Sequence, residues 1–172
     1  MASNSGVWQD YVNCIVHRMD YDAKKYEIEH LCDSAAIYGL DGAPWAWTEK
    51  FPEINAYTHT IEGLSAADSK KVEVDEFKIC LEVAAGNRNV GDQGVRIGGE
   101  KYMFVSFDDV NGVCCLSKRG GGGGALAKTY TGLVMAFYTK DKPTSDKTKV
   151  QNVGDCITQV LEMAKYLRSL NI

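Results

Sequence analysis

No stretch of this chain is apolar for long enough to cross a bilayer. The longest apolar runs cover only a few residues, as in 132–137, whereas a spanning helix needs roughly 20. Residues 1–6 are small and polar and lack a basic stretch followed by an apolar core, so no signal peptide is expected. There is no excess of positive charge: 19 Lys and Arg stand against 23 Asp and Glu, a formal net charge of −4. That argues against a dedicated nucleic-acid binder. It also weakens attraction to acidic lipids, although a local basic patch survives such an average. There is no Cys-x-x-Cys pair. The six cysteines, at 14, 32, 80, 114, 115 and 156, show no zinc-like spacing with His17, His30 or His59. Reduced, mostly buried thiols in a cytosolic protein are expected, with no metal site and no cofactor. Nothing marks a His/Ser/Asp or Cys/His catalytic set. The carboxylates at Asp108-Asp109 and in the 72–76 run are expected on a solvated face, so no enzymatic activity is expected.

What is present is ordinary globular composition, 45% apolar and 24% charged in 172 residues, enough for a single domain with a usable core. Residues 7–19 carry Val7, Tyr11, Cys14, Ile15 and Met19 at helical spacing, with Ser5 as a candidate cap. Residues 20–33 are polar, with Ile28 and Leu31 as local anchors and no defined form. An apolar 34–38 segment, Asp41-Gly42 and then Pro44-Trp45-Ala46-Trp47 predict two short strands about a turn. Strand alternation would put Trp45 and Trp47 on one face and Ala46 on the other. Residues 51–71 read as polar, helix-tolerant surface structure, 72–85 as a helix and 86–94 as a loop. Strands are predicted at 95–97, 101–107, 113–116 and 133–138, antiparallel because most links are short. The clearest helix spans 149–170, with Val150, Val153, Ile157, Val160, Leu161, Ala164 and Leu167 as its stripe. Together these predict an α+β fold, with the terminal helices packed on an antiparallel sheet.

Two features carry functional meaning. Trp8 and Tyr11 share a face of the first helix, and Tyr166 lies near the end of the last. Side by side with Trp45 and Trp47, these rings would form an exposed shelf suited to a polyproline II helix. Such a ligand has no internal hydrogen bonds, and its carbonyls accept from indole N–H and phenol O–H groups. Plain core packing gives the same periodicity. The second feature is Lys118-Arg119 followed by Gly120 to Gly124 and then Ala125-Leu126-Ala127-Lys128-Thr129. It approaches the phosphate-loop pattern G-x-x-x-x-G-K-[ST], which makes a nucleotide-binding enzyme the alternative reading. However, Ala127 replaces the required glycine, and a strand rather than a helix is expected to follow. A flexible connection between strands is the favoured reading of 120–129.

Read in order, these segments resemble the profilin family over most of the chain. Trp8-Gln9-Asp10-Tyr11-Val12 is similar to its W-Q-x-Y-V opening, and residues 35–46 to A-A-I-x-G-x-D-G-x-x-W-A. Residues 97–103 are similar to L-G-G-x-K-Y-M, and 118–123 with Lys128-Thr129 to K-K-G-x-G-G and K-T. Cys156 and Tyr166-Leu167 fit the spacing of the last helix. The resemblance implies a central antiparallel β-sheet flanked by helices, with the N- and C-terminal helices packed on the same side. It also implies a cytoplasmic, cytoskeletal protein that binds monomeric actin, regulates its polymerisation and links it to proline-rich proteins such as formins. It implies Trp8, Tyr11, Trp45, Tyr166 and Leu167 for proline-rich peptides, and Lys101, Met103, Val105, Lys118, Gly154, Thr158 and Glu162 for actin. Phosphoinositides are a further implied partner, and a recognition scaffold that does not bind actin is the other alternative. Leu116 and Ile172 stand where relatives often have a basic residue and an aromatic. Trp47, outside the usual set, is expected to widen or underpin the shelf. Extra residues at 53–71 read as a surface insertion of the kind common in single-celled eukaryotes, with several more within 20–33.

Overall fold

In the computed structural model, which describes residues 6–20, 23–63, 65–90 and 94–172, the chain runs α1 (Val7–Val16), β1 (Arg18–Asp20), β2 (Lys25–Ile28), β3 (Ser34–Gly39), β4 (Pro44–Trp47), β5 (Ala56–Ile61), β6 (Lys70–Asp75), α2 (Glu76–Ala84), β7 (Val95–Ile97), β8 (Glu100–Asp108), β9 (Val113–Lys118), β10 (Gly123–Lys128), β11 (Gly132–Tyr138) and α3 (Val153–Ser169). Seven strands form one antiparallel sheet in the order β4-β3-β11-β10-β9-β8-β7. β1–β2 and β5–β6 form separate two-stranded ribbons. The expected α+β arrangement holds, with α1 and α3 together on one face and α2 on the other. Among the described residues no helix is long and apolar enough to cross a membrane.

Side-chain alternation builds two cores from one sheet. On β11, Val134, Ala136 and Tyr138 join the core under α1 and α3, while Leu133, Met135 and Phe137 join the core under α2. The first of these faces is lined with small residues: Ala35, Ala46, Ala125, Ala127 and Ala136. Two helices can therefore settle close to the strands. The α2 face carries the bulk instead, in Leu116, Leu126, Leu133, Met135 and Phe137.

α1 ends three residues earlier than expected; of the expected set Ile15 is fully buried, Val12 and Val16 join it, and Val7 is exposed. Its end is fixed from outside: the Gln159 amide of α3 lies 2.9, 3.0 and 3.1 Å from the carbonyls of Cys14, Ile15 and His17. These are carbonyls that a helix terminus leaves without partners. The chain turns extended at His17, and Arg18–Asp20 pairs with Lys25–Ile28. Ser5 lies outside the described residues. α3 is capped by the Asn152 side chain, which accepts from the Asp155 N–H at 2.9 Å, so Val150 falls before the helix and is exposed.

Two other segments differ from expectation. Residues 56–61, read as polar and helix-tolerant, form β5, pairing with β6 from Ala56↔Asp75 to Ile61↔Lys70. The first residues of the expected 72–85 helix belong to β6, and the helix starts only at Glu76, where Asp75 accepts from the Lys78 N–H at 3.1 Å. Glu76 is also no solvated carboxylate. It is fully buried and accepts from the Asn55 N–H at 3.0 Å, the Tyr57 hydroxyl at 3.1 Å and the Gly99 N–H at 2.8 Å. One side chain thus ties the β5–β6 ribbon to α2 and to the β7–β8 turn.

Glu76→Ala removes the buried acceptor of three part-buried hydrogen bonds and should lower unfolding stability by about 3 kcal/mol. Glu73→Ala, which removes an exposed 2.8 Å contact to Thr58, should cost under about 0.5 kcal/mol. Urea unfolding of both variants checks this, and equal losses would refute the role given to Glu76.

Candidate functional site

Residues of three separate elements bring four rings into one line. Trp8 and Tyr11, one turn apart on α1, meet edge to face at 5.5 Å between centroids. Trp8 lies 4.7 Å from Trp45 of β4. Tyr11 lies 5.4 Å from Tyr166 of α3, again edge to face, and the two hydroxyls share a 3.4 Å hydrogen bond. That bond, with burial and the proximity of the second phenol, pushes the Tyr11 pKa up to about 12. The Tyr11 phenol therefore stays protonated, as a hydrogen-bond donor must. Trp8, Tyr11 and Trp45 are half-buried and Tyr166 is exposed.

Trp45 reaches this line through a break in strand regularity. The β3–β4 register passes from Ile37↔Ala46 to Tyr38↔Pro44, so Trp45 is an extra residue. A bulge of this kind re-aims a side chain. Trp45 accordingly joins Ala46 on the α1–α3 face, and Trp47 lies on the opposite face with the α2 core. The expectation that Trp45 and Trp47 share a face is thus overturned, and Trp47 cannot widen or underpin the shelf. Space for the Trp45 ring comes from Gly39 and Gly132, which face each other across β3 and β11. A Cβ on Gly39 would sit 3.0 Å from the indole nitrogen, and one on Gly132 3.0 Å from the ring.

Leu167 is fully buried beneath the line and supports it rather than presenting a surface. Ile172 is half-buried against the same core. Tyr130, passed over in the sequence, is 65% exposed at the β10–β11 turn, where its N–H bonds the Ile172 carbonyl at 3.0 Å. An aromatic directly after Lys128-Thr129 was its only sequence signal. Beside the tyrosines, a groove of about 690 Å³ opens between α1 and α3, with Asp10 and Cys14 on one wall, Thr158 and Glu162 on the other, and Met163 and Gln159 between them.

The second residue set divides. α3 packs mainly over β10 and β11, with less on β9, which leaves one face of β8 largely bare. Lys101, Met103 and Val105 stand there, and the two apolar side chains are 60% and 52% exposed. Lys118 ends the neighbouring strand, in register with Tyr102. Gly154 is exposed in the first turn of α3. Thr158 and Glu162 instead line the groove toward α1. Leu116 is fully buried on the α2 side.

The glycine run is not a phosphate loop. Gly120 to Gly122 turn the chain at positive φ, and Gly123–Lys128 is an interior strand paired on both sides. A Cβ on Gly123 would fall 1.9 Å from the Leu116 carbonyl oxygen, so close strand approach accounts for that glycine. The Thr129 hydroxyl is buried and accepts from the Gly132 N–H at 2.9 Å. The segment read as a flexible connection is thus mostly sheet.

This architecture is that of known proteins. The structure of mouse profilin IIa in complex with a double repeat from the FH1 domain of mDia1 is similar at a TM-score of 0.59 and 18% identity, over 97% of this chain and 100% of that one. Acanthamoeba castellanii profilin IA matches at 0.60 and 19%, over 96% and 99%. Schizosaccharomyces pombe profilin matches at 0.54 and 16%, again over 96% and 99%. The profilin family model matches residues 6–172, and the chain belongs to the profilin family.

Proposed function

We propose that this protein is a non-enzymatic cytoplasmic adaptor. It holds proline-rich segments of other proteins along the line Trp45–Trp8–Tyr11–Tyr166 and an actin monomer against the bare face of β8, linking one to the other. The observation that carries the reading is the continuity of the ring line, with centroid steps of 4.7, 5.5 and 5.4 Å. Rings at that spacing meet a polyproline II helix about once every two residues, since it rises about 3.1 Å per residue. Phenol hydroxyls and an indole N–H at the line's edge meet the ligand's free carbonyls. The mouse profilin IIa structure is a complex with a double repeat from the FH1 domain of mDia1, which supports the same use here.

For actin, the support is chemical. Met103 and Val105 form an exposed apolar pair with Lys101 beside them. A partner covering the pair would take apolar surface from water, and Lys101 would steer an acidic patch on that partner, a general feature of association. The patch draws on Lys101, Met103, Val105, Lys118 and Gly154. Thr158 and Glu162, which line the groove, are left out of it.

Trp8→Ala should weaken octaproline binding about 30-fold, the loss expected of a central aromatic anchor, while Trp47→Ala should change it by less than about twofold because that ring is on the other face. Intrinsic tryptophan fluorescence titration measures both, with circular dichroism to show that each variant is folded. Unchanged affinity in folded Trp8→Ala would refute the peptide site.

Met103→Asp with Lys101→Glu should slow actin assembly less than the parent protein does, by about tenfold in the concentration needed, with octaproline affinity retained. Pyrene-actin assembly assays report it. If the parent protein binds octaproline but has no effect on actin, the protein is a recognition scaffold without actin and the second half of the proposal falls.

A further inference from the structure

We infer that the groove between α1 and α3 reads a cationic side chain, lysine or arginine, flanking the proline run of the ligand. This rests on the proline-binding reading above and adds a specificity that the rings alone do not give, since a flat aromatic line treats one proline run like another.

The argument is from position and charge. The groove begins where the ring line ends, because Tyr11 and Tyr166 belong to both. Glu162 stands four residues before Tyr166 on α3, and Asp10 directly precedes Tyr11 on α1. Residues four apart on a helix are neighbours about 6 Å apart, so both carboxylates lie within about one turn of the tyrosine pair. At about 3.1 Å per residue, a ligand residue roughly two positions beyond the proline on Tyr166 arrives between them. Asp10 and Glu162 are exposed, and neither makes an ion pair or a side-chain hydrogen bond among the described residues. Among the described residues the groove's one cation, Arg18, is held by Glu27 at 2.8 Å. The wall charge left over is negative. Between the carboxylates, Cys14, Met19 and Met163 offer an apolar floor, which suits the alkyl stem of a long basic side chain whose head stays at the wet rim. An anionic or short flanking residue fits neither feature.

The test uses the full-length protein and blocked peptides, acetylated and amidated so that terminal charges do not contribute. Octaproline is compared with octaproline carrying two lysines at one end, at the other end, or two glutamates at either end. The readout is the ratio of affinities within each protein variant. The parent protein should prefer one lysine-flanked peptide over octaproline by about fivefold at low salt, the scale set by exposed ion pairs, and lose the preference in about 0.5 M salt. In Asp10→Asn/Glu162→Gln the ratio should fall to about one, and in Glu162→Lys the glutamate-flanked peptide should become the preferred one. If octaproline binds but flanking charge leaves the affinity unchanged, or if the lysine preference persists in the double variant, the inference is wrong and the proline site stands. If no peptide binds at all, the proline site falls and takes the inference with it.

Discussion

The close seating of two helices on one sheet face is the constraint from which the ring line follows. α1 and α3 both sit over strands whose side chains on that face include five alanines, at positions 35, 46, 125, 127 and 136. A larger residue at any of them would lift a helix by the width of a methyl group or more, since cores are close-packed and tolerate little added volume. The Gln159 amide then sets where α1 stops by gathering its last carbonyls. With the end of α1 fixed against the middle of α3, the start of α1 must lie beside the end of α3. Trp8 and Tyr11 come from the first of these and Tyr166 from the second.

Within that frame, the rings brace one another. Edge-to-face pairs are worth about 0.5–1.5 kcal/mol each beyond the area they bury, and here each ring touches the next. Little side-chain entropy is then left for a ligand to remove, which favours binding. The Trp45 end depends on backbone rather than on side chains: a bulge turns the ring to the helix face, and Gly39 and Gly132 leave it room. The cost is a strand pair that lacks Cβ atoms at its end, and the ring itself fills that space.

Much of this was legible in the sequence, and the failures share one cause. Strong periodicity located all three helices and most of the central strands. Local pattern could not say which neighbours would override it. Val72-Glu73-Val74-Asp75 has a strand's period of two, yet its continuation into the apolar helix made the whole look helical. The alternating Tyr57, His59 and Ile61 of β5 were outweighed by polar neighbours. β10 was hidden because its glycines answer to a close carbonyl on β9 rather than to a turn, a fact of pairing that no single strand reveals. Trp45 and Trp47 were placed on one face because a bulge has no reliable mark in sequence. Glu76 looked like one more surface carboxylate because its three donors lie 21, 19 and 23 residues away. The ring residues themselves were recognisable as a set, but Leu167 became a support because helical phase alone does not separate a residue under the shelf from one on it.

The two proposed surfaces share no residue, and the material between them bears on how they work together. β9 and β10 are almost wholly buried and paired on both sides. They offer no hinge, no alternative register and no loosely packed element with two arrangements, which are what long-range coupling ordinarily requires. On the proposed reading, a partner on the rings therefore leaves the affinity at β8 unchanged unless the two partners touch. Linkage then works through proximity: a tethered actin monomer is present at high effective concentration near whatever the proline-rich segment belongs to. A module of that kind gains nothing from tight binding to every proline run. It gains from choosing among them, and a charged groove at the ring end, away from β8, is where such a choice can be made without disturbing the monomer.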